Sequence, residues 1–389
     1  TVVLGVTGSI AAYKIANLAR MLVKQHCEVH VLMTQNATNF INPITFETLT
    51  KHKCLIDTFD RNFEFSVEHV ALAKAADVVM IAPASANVIG KIANGIADDM
   101  LTTTVMACPC KKIVSPAMNH NMFHNPIVQD NIEKLKHYGY EIVEPAHGML
   151  ANGDMGDGRM PDEELLFEYI VKEIAFEKDM TGKKVLVTAG ATVEAIDPVR
   201  FITNHSSGKM GFALAKNAML RGADVTLVMG KCDSEPPVFV NTVKVQSAKD
   251  MYDAVIERAD SMDIIVKAAA VADYRPKNVS SEKVKKQDGN MSIELERTDD
   301  ILKTLGERKN GQFICGFSME TENMLENSRK KLEKKNCDMI VANNLKQDGA
   351  GFGGNTNIVT LITKDDEVQL EKMTKDEVAE KIFDFILSR

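Results

Sequence analysis

The feature that most constrains the fold is a pattern that occurs twice. "VVLGVTGS" at residues 2–9 and "KKVLVTAGAT" at residues 183–192 are both β-branched apolar runs that end in glycine and pass into polar residues. Strands that feed ligand loops have this form. Between the two runs, "FEKDMTGKK" is short, charged and broken by glycine, which predicts a boundary near residue 180. A chain of 389 residues is long enough for two or three domains. The expected division is therefore 1–178 and 179–389.

The first half reads as strands at 2–6, 28–33, 77–82, 112–115 and 140–143. Amphipathic helices are expected at 10–25, 69–75, 87–106 with breaks, 120–137 and 163–176. The second half reads as strands at 184–188, 223–228, 263–267, 312–316 and 338–342, with helices at 208–221, 247–259, 299–308, 321–335 and 374–387. "NIVTLITKDDEVQL" reads as an edge hairpin turning at Asp365-Asp366. Continuous apolar strands alternating with helices imply an α/β protein with two Rossmann-like domains, each a mostly parallel sheet with helices on both faces.

The formal charge of −8 argues against a nucleic-acid surface. No apolar run approaches the roughly 20 residues needed to cross a bilayer. The seven cysteines are scattered and offer no tetrahedral metal set, so free thiols and a cytoplasmic location are expected.

Ligands in such folds sit beyond the carboxyl ends of the strands. Strand 2–6 ends in "GVTGSIAAYK", where Gly5 and Gly8 permit a tight turn and Ser9 opens a helix suited to a phosphate. The dinucleotide pattern G-x-G-x-x-G is absent, so a mononucleotide suits this loop better. "APASANVIGK" brings Ser85 and Asn87, and "SPAMNHNMFHNP" brings Asn119, as side chains able to hydrogen-bond a ligand. The loop "AHGMLANGDMGDGRMPDEE" (residues 146–164) is glycine-dense and acidic. Gly156 stands where a calcium loop beginning at Asp154 needs an oxygen ligand, and no Gly-Lys-Ser/Thr follows. An ordinary surface loop is the remaining plain alternative.

In the second half, "NHSSGKMG" places Ser206, Ser207 and Gly208 before a helix, with Arg200 and Asn204 just upstream. "KAAAVADYRPKNVSSEKVKKQ" offers small residues for close backbone contact with a flat base. Its lysines 283, 285 and 286 could face phosphates or could form an ordinary solvated surface.

"GSIAAYK", "PASAN", "PAMNHNM" and "ANGDMGDGRMPDEE" resemble the flavin-dependent cysteine decarboxylases. "DPVRFITNHSSGKMG", "AAAVADYRP" and "VKKQ" resemble the phosphopantothenate–cysteine ligases. Their fusion in this order resembles the bacterial bifunctional coenzyme A biosynthesis family, over essentially the whole chain.

For the first half, the resemblance implies FMN held by Gly8, Ser9, Ile10, Thr34, Ser85, Asn87 and Asp98. It implies His69 as catalytic base, Asn119 on the substrate carboxylate and the 147–162 loop as a clamp. An imidazole suits moving a thiol proton at neutral pH. Oxidation at the thiol carbon would let the electrons left by CO₂ spread onto sulfur. At clamp position 152 this chain has asparagine where the family typically has a cysteine proton donor. An amide cannot serve as that acid.

For the second half, the resemblance implies CTP, cysteine and 4'-phosphopantothenate as substrates, with an acyl-cytidylate formed and then attacked by cysteine. Asn204 and Lys283 would be catalytic. Arg200, Ser206, Ser207, Gly208, Lys267, Ala268, Ala269, Asp273, Lys283, Asp299, Asp300, Ile301, Leu302, Phe317, Lys331 and Lys335 would line the site, with Asp273 on Mg²⁺. The resemblance also implies a homo-dodecamer of decarboxylase trimers joined by ligase dimers. Two rivals are a peptide-cysteine decarboxylase with a fused domain of other use, and a non-enzymatic binding protein.

Overall fold

The computed structural model describes residues 1–58, 68–149, 153–285, 291–320, 324–344 and 354–389. The chain divides into two compact units, Thr1–Phe176 and Glu177–Arg389.

Unit 1 is built on strands β1 (Val2–Val6), β2 (Val29–Met33), β3 (Val78–Ala84), β4 (Lys111–Pro116) and β5 (Glu141–Ile142). They form a parallel sheet in the order β2-β1-β3-β4-β5. Helices α1 (Ala12–Lys24), α2 (Pro43–Thr50), α3 (Glu68–Ala75), α4 (Ala86–Ala93), α5 (Met100–Ala107), α6 (His120–Phe123), α7 (Pro126–His137) and α8 (Glu163–Ile174) connect and cover it.

Strand alternation sorts the side chains into two cores. Val2, Leu4, Val6, Val78 and Met80 pack on one face with Ile15, Leu18 and Leu22 of α1 and Leu166 and Ile170 of α8. Val3, Val79 and Ile81 pack on the other with α4, α5 and α7, through Val88, Ile89, Leu101, Val105, Ile132 and Leu135. Burial on both faces explains why these strands read as continuous apolar runs.

Two expectations for unit 1 change. The single helix expected over 120–137 is two, because Asn125 is extended (φ −62°, ψ 127°) and caps a new helix whose first residue is Pro126. Proline disfavours helical backbone in the residue before it and suits the first helical position. The 146–164 loop is not irregular throughout. Strands β6 (Ala146–Met149) and β7 (Met155–Arg159) pair as an antiparallel hairpin.

Unit 2 carries an eight-stranded sheet. Its order is Asn241–Lys244, Asp224–Met229, Lys184–Ala189, Ile264–Lys267, Phe313–Glu320, Met339–Asn344, Val359–Ile362 and Glu367–Gln369. The first six strands are parallel, and the last two form the expected antiparallel edge hairpin, closed by the Thr363 N–H on the Asp366 carbonyl. Strand Asn241–Lys244 and the short hairpins Val193–Ala195/Phe201–Thr203 and Tyr274–Pro276/Leu295–Arg297 lacked a legible pattern in the sequence. Helices Lys209–Leu220, Ala248–Ala259, Ile301–Arg308, Met324–Lys334 and Lys375–Leu387 agree with expectation in place, although residues 321–323 lie outside the described segments.

Candidate functional sites

Strand order locates one candidate site in each unit. In a doubly wound sheet, ligands bind where the order reverses, beyond the carboxyl ends of the two strands that part there. In unit 1 that point lies between β1 and β3, and in unit 2 between Lys184–Ala189 and Ile264–Lys267.

In unit 1 the two loops are joined by the buried Thr7 hydroxyl. It donates to the Pro83 carbonyl at 2.6 Å and accepts the Ser85 N–H at 2.9 Å. Gly8 lies so close to Asn36 that an added Cβ would come within 2.9 Å of the Asn36 Cβ. Helices α1 and α4 start beside these loops, and neither has a side-chain cap. By contrast α2, α5 and α7 are each capped by Asn42, Asp99 or Asn125. Uncapped starts leave N–H groups and the positive end of the helix dipole for an anion.

A cavity of about 480 Å³ opens here. Its walls include Ser9, Ile10, Tyr13 and Lys14 at the start of α1, Met118 and Asn119 after β4, and Met149, Gly158 and Arg159 of the hairpin. Ile10, Tyr13 and Met149 are exposed, so the rim is apolar. Asn119 caps α6 by accepting the Asn121 N–H at 2.9 Å.

The hairpin is held down by backbone. Met118 N–H donates to the Gly158 carbonyl at 3.0 Å, and Gly158 has φ +118° with space for a Cβ denied by the Met118 oxygen at 2.3 Å. Lys14 reaches Asp162 at 2.7 Å and Arg159 reaches it at 3.2 Å, which ties α1 to the end of the hairpin. The Lys14 ammonium holds the Asp162 carboxyl below its ordinary range.

Of the residues expected around the flavin, Ser9, Ile10 and Asn119 line this cavity. Gly8 and Ser85 form the joined loops, and Asn87 is exposed in the first turn of α4. Thr34 is buried and uses its hydroxyl to cap the turn at Gln35–Asn39. Asp98 is exposed and paired with Lys91 at 2.7 Å, and His69 is half-buried in the first turn of α3. Thr34, Asp98 and His69 do not line the cavity. Asn152 lies outside the described residues. Sequence reasoning missed Thr7, Tyr13, Lys14 and Arg159, although "GSIAAYK" contains two of these and Arg159 closes the glycine-rich run.

In unit 2, Ala270 N–H donates to the Gly190 carbonyl at 2.8 Å, and Asn204 Nδ2 donates to the Ala270 carbonyl at 3.2 Å. Helix Lys209–Leu220 begins at Gly208, in the left-handed region at φ +80°, again without a side-chain cap. Added bulk at Gly208 would strike Cys232 Sγ at 2.4 Å. Ser206, Ser207, Gly208, Ala268 and Phe317 share a small cavity of about 60 Å³ with Asn343. Asn343 Oδ1 is buried with no hydrogen-bond partner among the described residues.

A cavity of about 360 Å³ gathers Lys267, Asp273, Asp299, Asp300, Ile301, Leu302, Lys331 and Lys335, together with the unforeseen Tyr274, Arg297 and Thr298. Burial, then the Lys331 ammonium, push Lys267 down to about 8. Burial would raise Asp300, but the ion pair with Lys335 and the Lys303 N–H outweigh it and hold the carboxyl low. Lys331 Nζ donates to the Phe317 carbonyl at 2.9 Å.

Ala269 stands between the two cavities' loops, with its N–H on the Thr188 hydroxyl at 3.1 Å. Arg200 is engaged by Asp197 at 2.5 and 2.9 Å, and the same carboxylate accepts the Val284 N–H at 3.2 Å. The Arg200 guanidinium holds Asp197 far below the usual carboxylate range. Lys283, next to that anchored backbone, is exposed and lines neither cavity.

The comparisons agree with this division. The flavoprotein family model matches residues 1–175, and that of the DNA/pantothenate metabolism flavoprotein C-terminal domain matches residues 180–389. The coenzyme A biosynthesis bifunctional protein CoaBC of Bacillus subtilis is 48% identical over 367 residues, which covers 94% of this chain and 90% of that one. Its counterpart in Vibrio cholerae is 42% identical over 388 residues, covering 99% and 97%. A crystal structure of a CoaBC C-terminal domain is 49% identical, covers 53% of this chain and 95% of its own, and has a TM-score of 0.46. No helix among the described residues is long and apolar enough to cross a membrane. The chain belongs to the bifunctional coenzyme A biosynthesis enzymes, which join a flavoprotein decarboxylase unit to a pantothenate-metabolism ligase unit.

Proposed function

We propose that unit 2 joins cysteine to 4'-phosphopantothenate at the expense of CTP and that unit 1 decarboxylates the product. The observation that carries this reading is the contrast between the two cavities, one in unit 1 with an apolar rim beside the loop after β1, and one in unit 2 lined by opposed charges at the carboxyl end of Ile264–Lys267.

In unit 2, Lys267, Lys331 and Lys335 would neutralise the triphosphate, and Asp273 would share Mg²⁺ with phosphate oxygens, a donor set that hard cation favours. Ser206, Ser207, Gly208, Ala268, Ala269 and Phe317 would surround the nucleoside, with Asn343 as an added acceptor. Lys283 would stabilise charge as the acyl-cytidylate forms, and Asn204 would orient cysteine for attack.

In unit 1, the uncapped helices behind Gly8–Ile10 and Ser85–Asn87 fit the phosphate of FMN, and Ile10, Met118 and Met149 fit a flat ring. The flavin, when bound, supplies the oxidation at the thiol-bearing carbon that makes loss of CO₂ feasible. His69 would move the thiol proton, Asn119 would hold the substrate carboxylate, and the β6–β7 hairpin would exclude water. The purified protein is expected to be yellow and to release FMN. A colourless protein that does not take up FMN refutes this half of the reading.

With asparagine at 152, oxidation and CO₂ loss proceed but the final reduction stalls, and the product lacks two hydrogens relative to phosphopantetheine. Asn152→Cys restores the reduced product, as mass analysis would show. Equal yields of phosphopantetheine from both proteins would remove residue 152 from proton donation. The proposal includes assembly into a dodecamer of unit 1 trimers and unit 2 dimers, which light scattering checks.

A further inference from the structure

A cluster outside the proposed chemistry lies where the hairpin meets α6. His120 is the first residue of α6 and His124 caps its end, one helical turn apart, with their rings at 4.4 Å between centroids. Asp157 of β7 lies across from them. Its Oδ2 is 2.9 Å from His124 Nε2, its backbone N–H donates to His120 Nδ1 at 3.1 Å, and its Oδ1 is 2.9 Å from Nδ1 of His147 on β6. One ligand atom each from His120, His124 and Asp157 all lie within 4.8 Å of one another. Gly156 keeps the approach open, since a Cβ there would come within 2.7 Å of His120 Nδ1.

We propose that His120, His124 and Asp157 bind a divalent transition metal of the zinc type, which fastens the hairpin to α6 beside Asn119. Two imidazoles and one carboxylate suit zinc and leave a fourth position to water, which can reach the half-exposed His124 and Asp157. Metal bonds near 2.0–2.1 Å in a tetrahedral site set ligand atoms roughly 3.4 Å apart. From separations within 4.8 Å the triangle must therefore close by up to about 1.4 Å, within the reach of side-chain rotation at the hairpin edge. His147 would serve as the hydrogen-bonding partner that orients the ligating carboxylate, as second partners commonly do in metal sites. The ion would link a strand on one side of the cavity to the helix that follows Asn119 on the other. It would thus favour the closed hairpin without entering the reaction.

The test uses the full chain, titrated with Zn²⁺ alone, with Co²⁺ as a spectroscopic substitute, and hydrogen exchange read over residues 155–159. The expected result is a tetrahedral-type Co²⁺ spectrum and slowed exchange in the hairpin when Zn²⁺ is added. His124→Gln and Asp157→Asn each abolish both signals, and His147→Gln weakens binding about 10–100-fold. The separate group Glu28, His30 and His52 serves as control, so His52→Gln leaves the hairpin response intact. Because His124 is exposed and Asp157 half-exposed, circular dichroism of the variants is expected to match the parent. If His124→Gln and Asp157→Asn bind Zn²⁺ as the parent does, or if Zn²⁺ leaves hairpin exchange unchanged, the site is refuted.

Discussion

The two units reach similar sites by different strand orders, and their cavities differ in chemistry. Unit 1 runs β2-β1-β3-β4-β5, with one strand beyond the first, while in unit 2 the two sheet strands that follow Lys184–Ala189 in the chain, Asp224–Met229 and Asn241–Lys244, lie on one side of it and the rest on the other. Both place an uncapped helix start beside the point where the order reverses. The unit 1 cavity is walled by Ile10, Tyr13, Met118 and Met149, with the β6–β7 hairpin as one side. The unit 2 cavity is walled by three lysines and three aspartates, among them Lys267 at a strand end, Asp300 at a helix start, and Lys331 and Lys335 at the end of helix Met324–Lys334. Topology thus chooses where a ligand sits, and the side chains on the loops choose which ligand it is.

The largest effect that can break this contrast is expected at His69. His69→Asn lowers decarboxylation about 10²–10⁴-fold, the usual loss for a general acid–base group. Ligation, measured by CMP release, stays at the parental rate. A parental rate of CO₂ release from the variant removes His69 from the chemistry.

Lys267→Met is expected to weaken CTP binding by about 10–150-fold, from the roughly 1.5–3 kcal/mol of a hydrogen bond to a charged group. The pH dependence sharpens the point. Lys267 titrates at about 8 in the free protein, and a bound triphosphate favours its charged form. CTP affinity should therefore fall as pH rises through that value, at most about tenfold per pH unit for one proton. Stability of the free protein moves the other way. Between about 8 and an ordinary lysine value near ~10.4, the unfolded chain binds the extra proton, so this residue's contribution favours folding more as pH rises. Both trends should vanish in Lys267→Met, as calorimetry at several pH values would check.

A smaller effect is expected at Gly158. Gly158→Ala forces a side chain into positive φ and against the Met118 carbonyl, at about 1–3 kcal/mol. Faster hydrogen exchange in the hairpin, with unit 2 untouched, is the expected outcome. An unchanged exchange rate would mean that the hairpin is not held by this backbone contact.

Much of this was legible in the sequence, because long buried strands such as Val78–Ala84 and Lys184–Ala189 announce themselves by apolar runs. The division of helix 120–137 was also written in the sequence, as Asn125-Pro126, but the apolar period continued across it. Strand Asn241–Lys244 is half-buried at most, so no run of core residues marked it. The loop motifs pointed to Ser9 and Asn119 because each follows a strand end, whereas the family resemblance supplied Lys267 and Asp273. Arg297 and Asn343 reach their cavities from a short hairpin and a distant strand, and only pairing across the fold brings them there. Thr34 illustrates the converse: a polar residue at a strand end spends its hydroxyl on a local cap.

The central claim is that one chain holds two separate sites, and one incubation tests it most directly. The parent, His69→Asn and Lys267→Met proteins are each given 4'-phosphopantothenate, cysteine, CTP and Mg²⁺, and CMP, CO₂ and product masses are followed together. The account predicts that His69→Asn releases CMP normally and accumulates phosphopantothenoylcysteine with its carboxylate intact. It predicts that Lys267→Met makes little of that compound yet decarboxylates it at the parental rate when it is supplied. If either substitution instead stops both reactions in correctly folded protein, the two sites are not separate and the account is wrong.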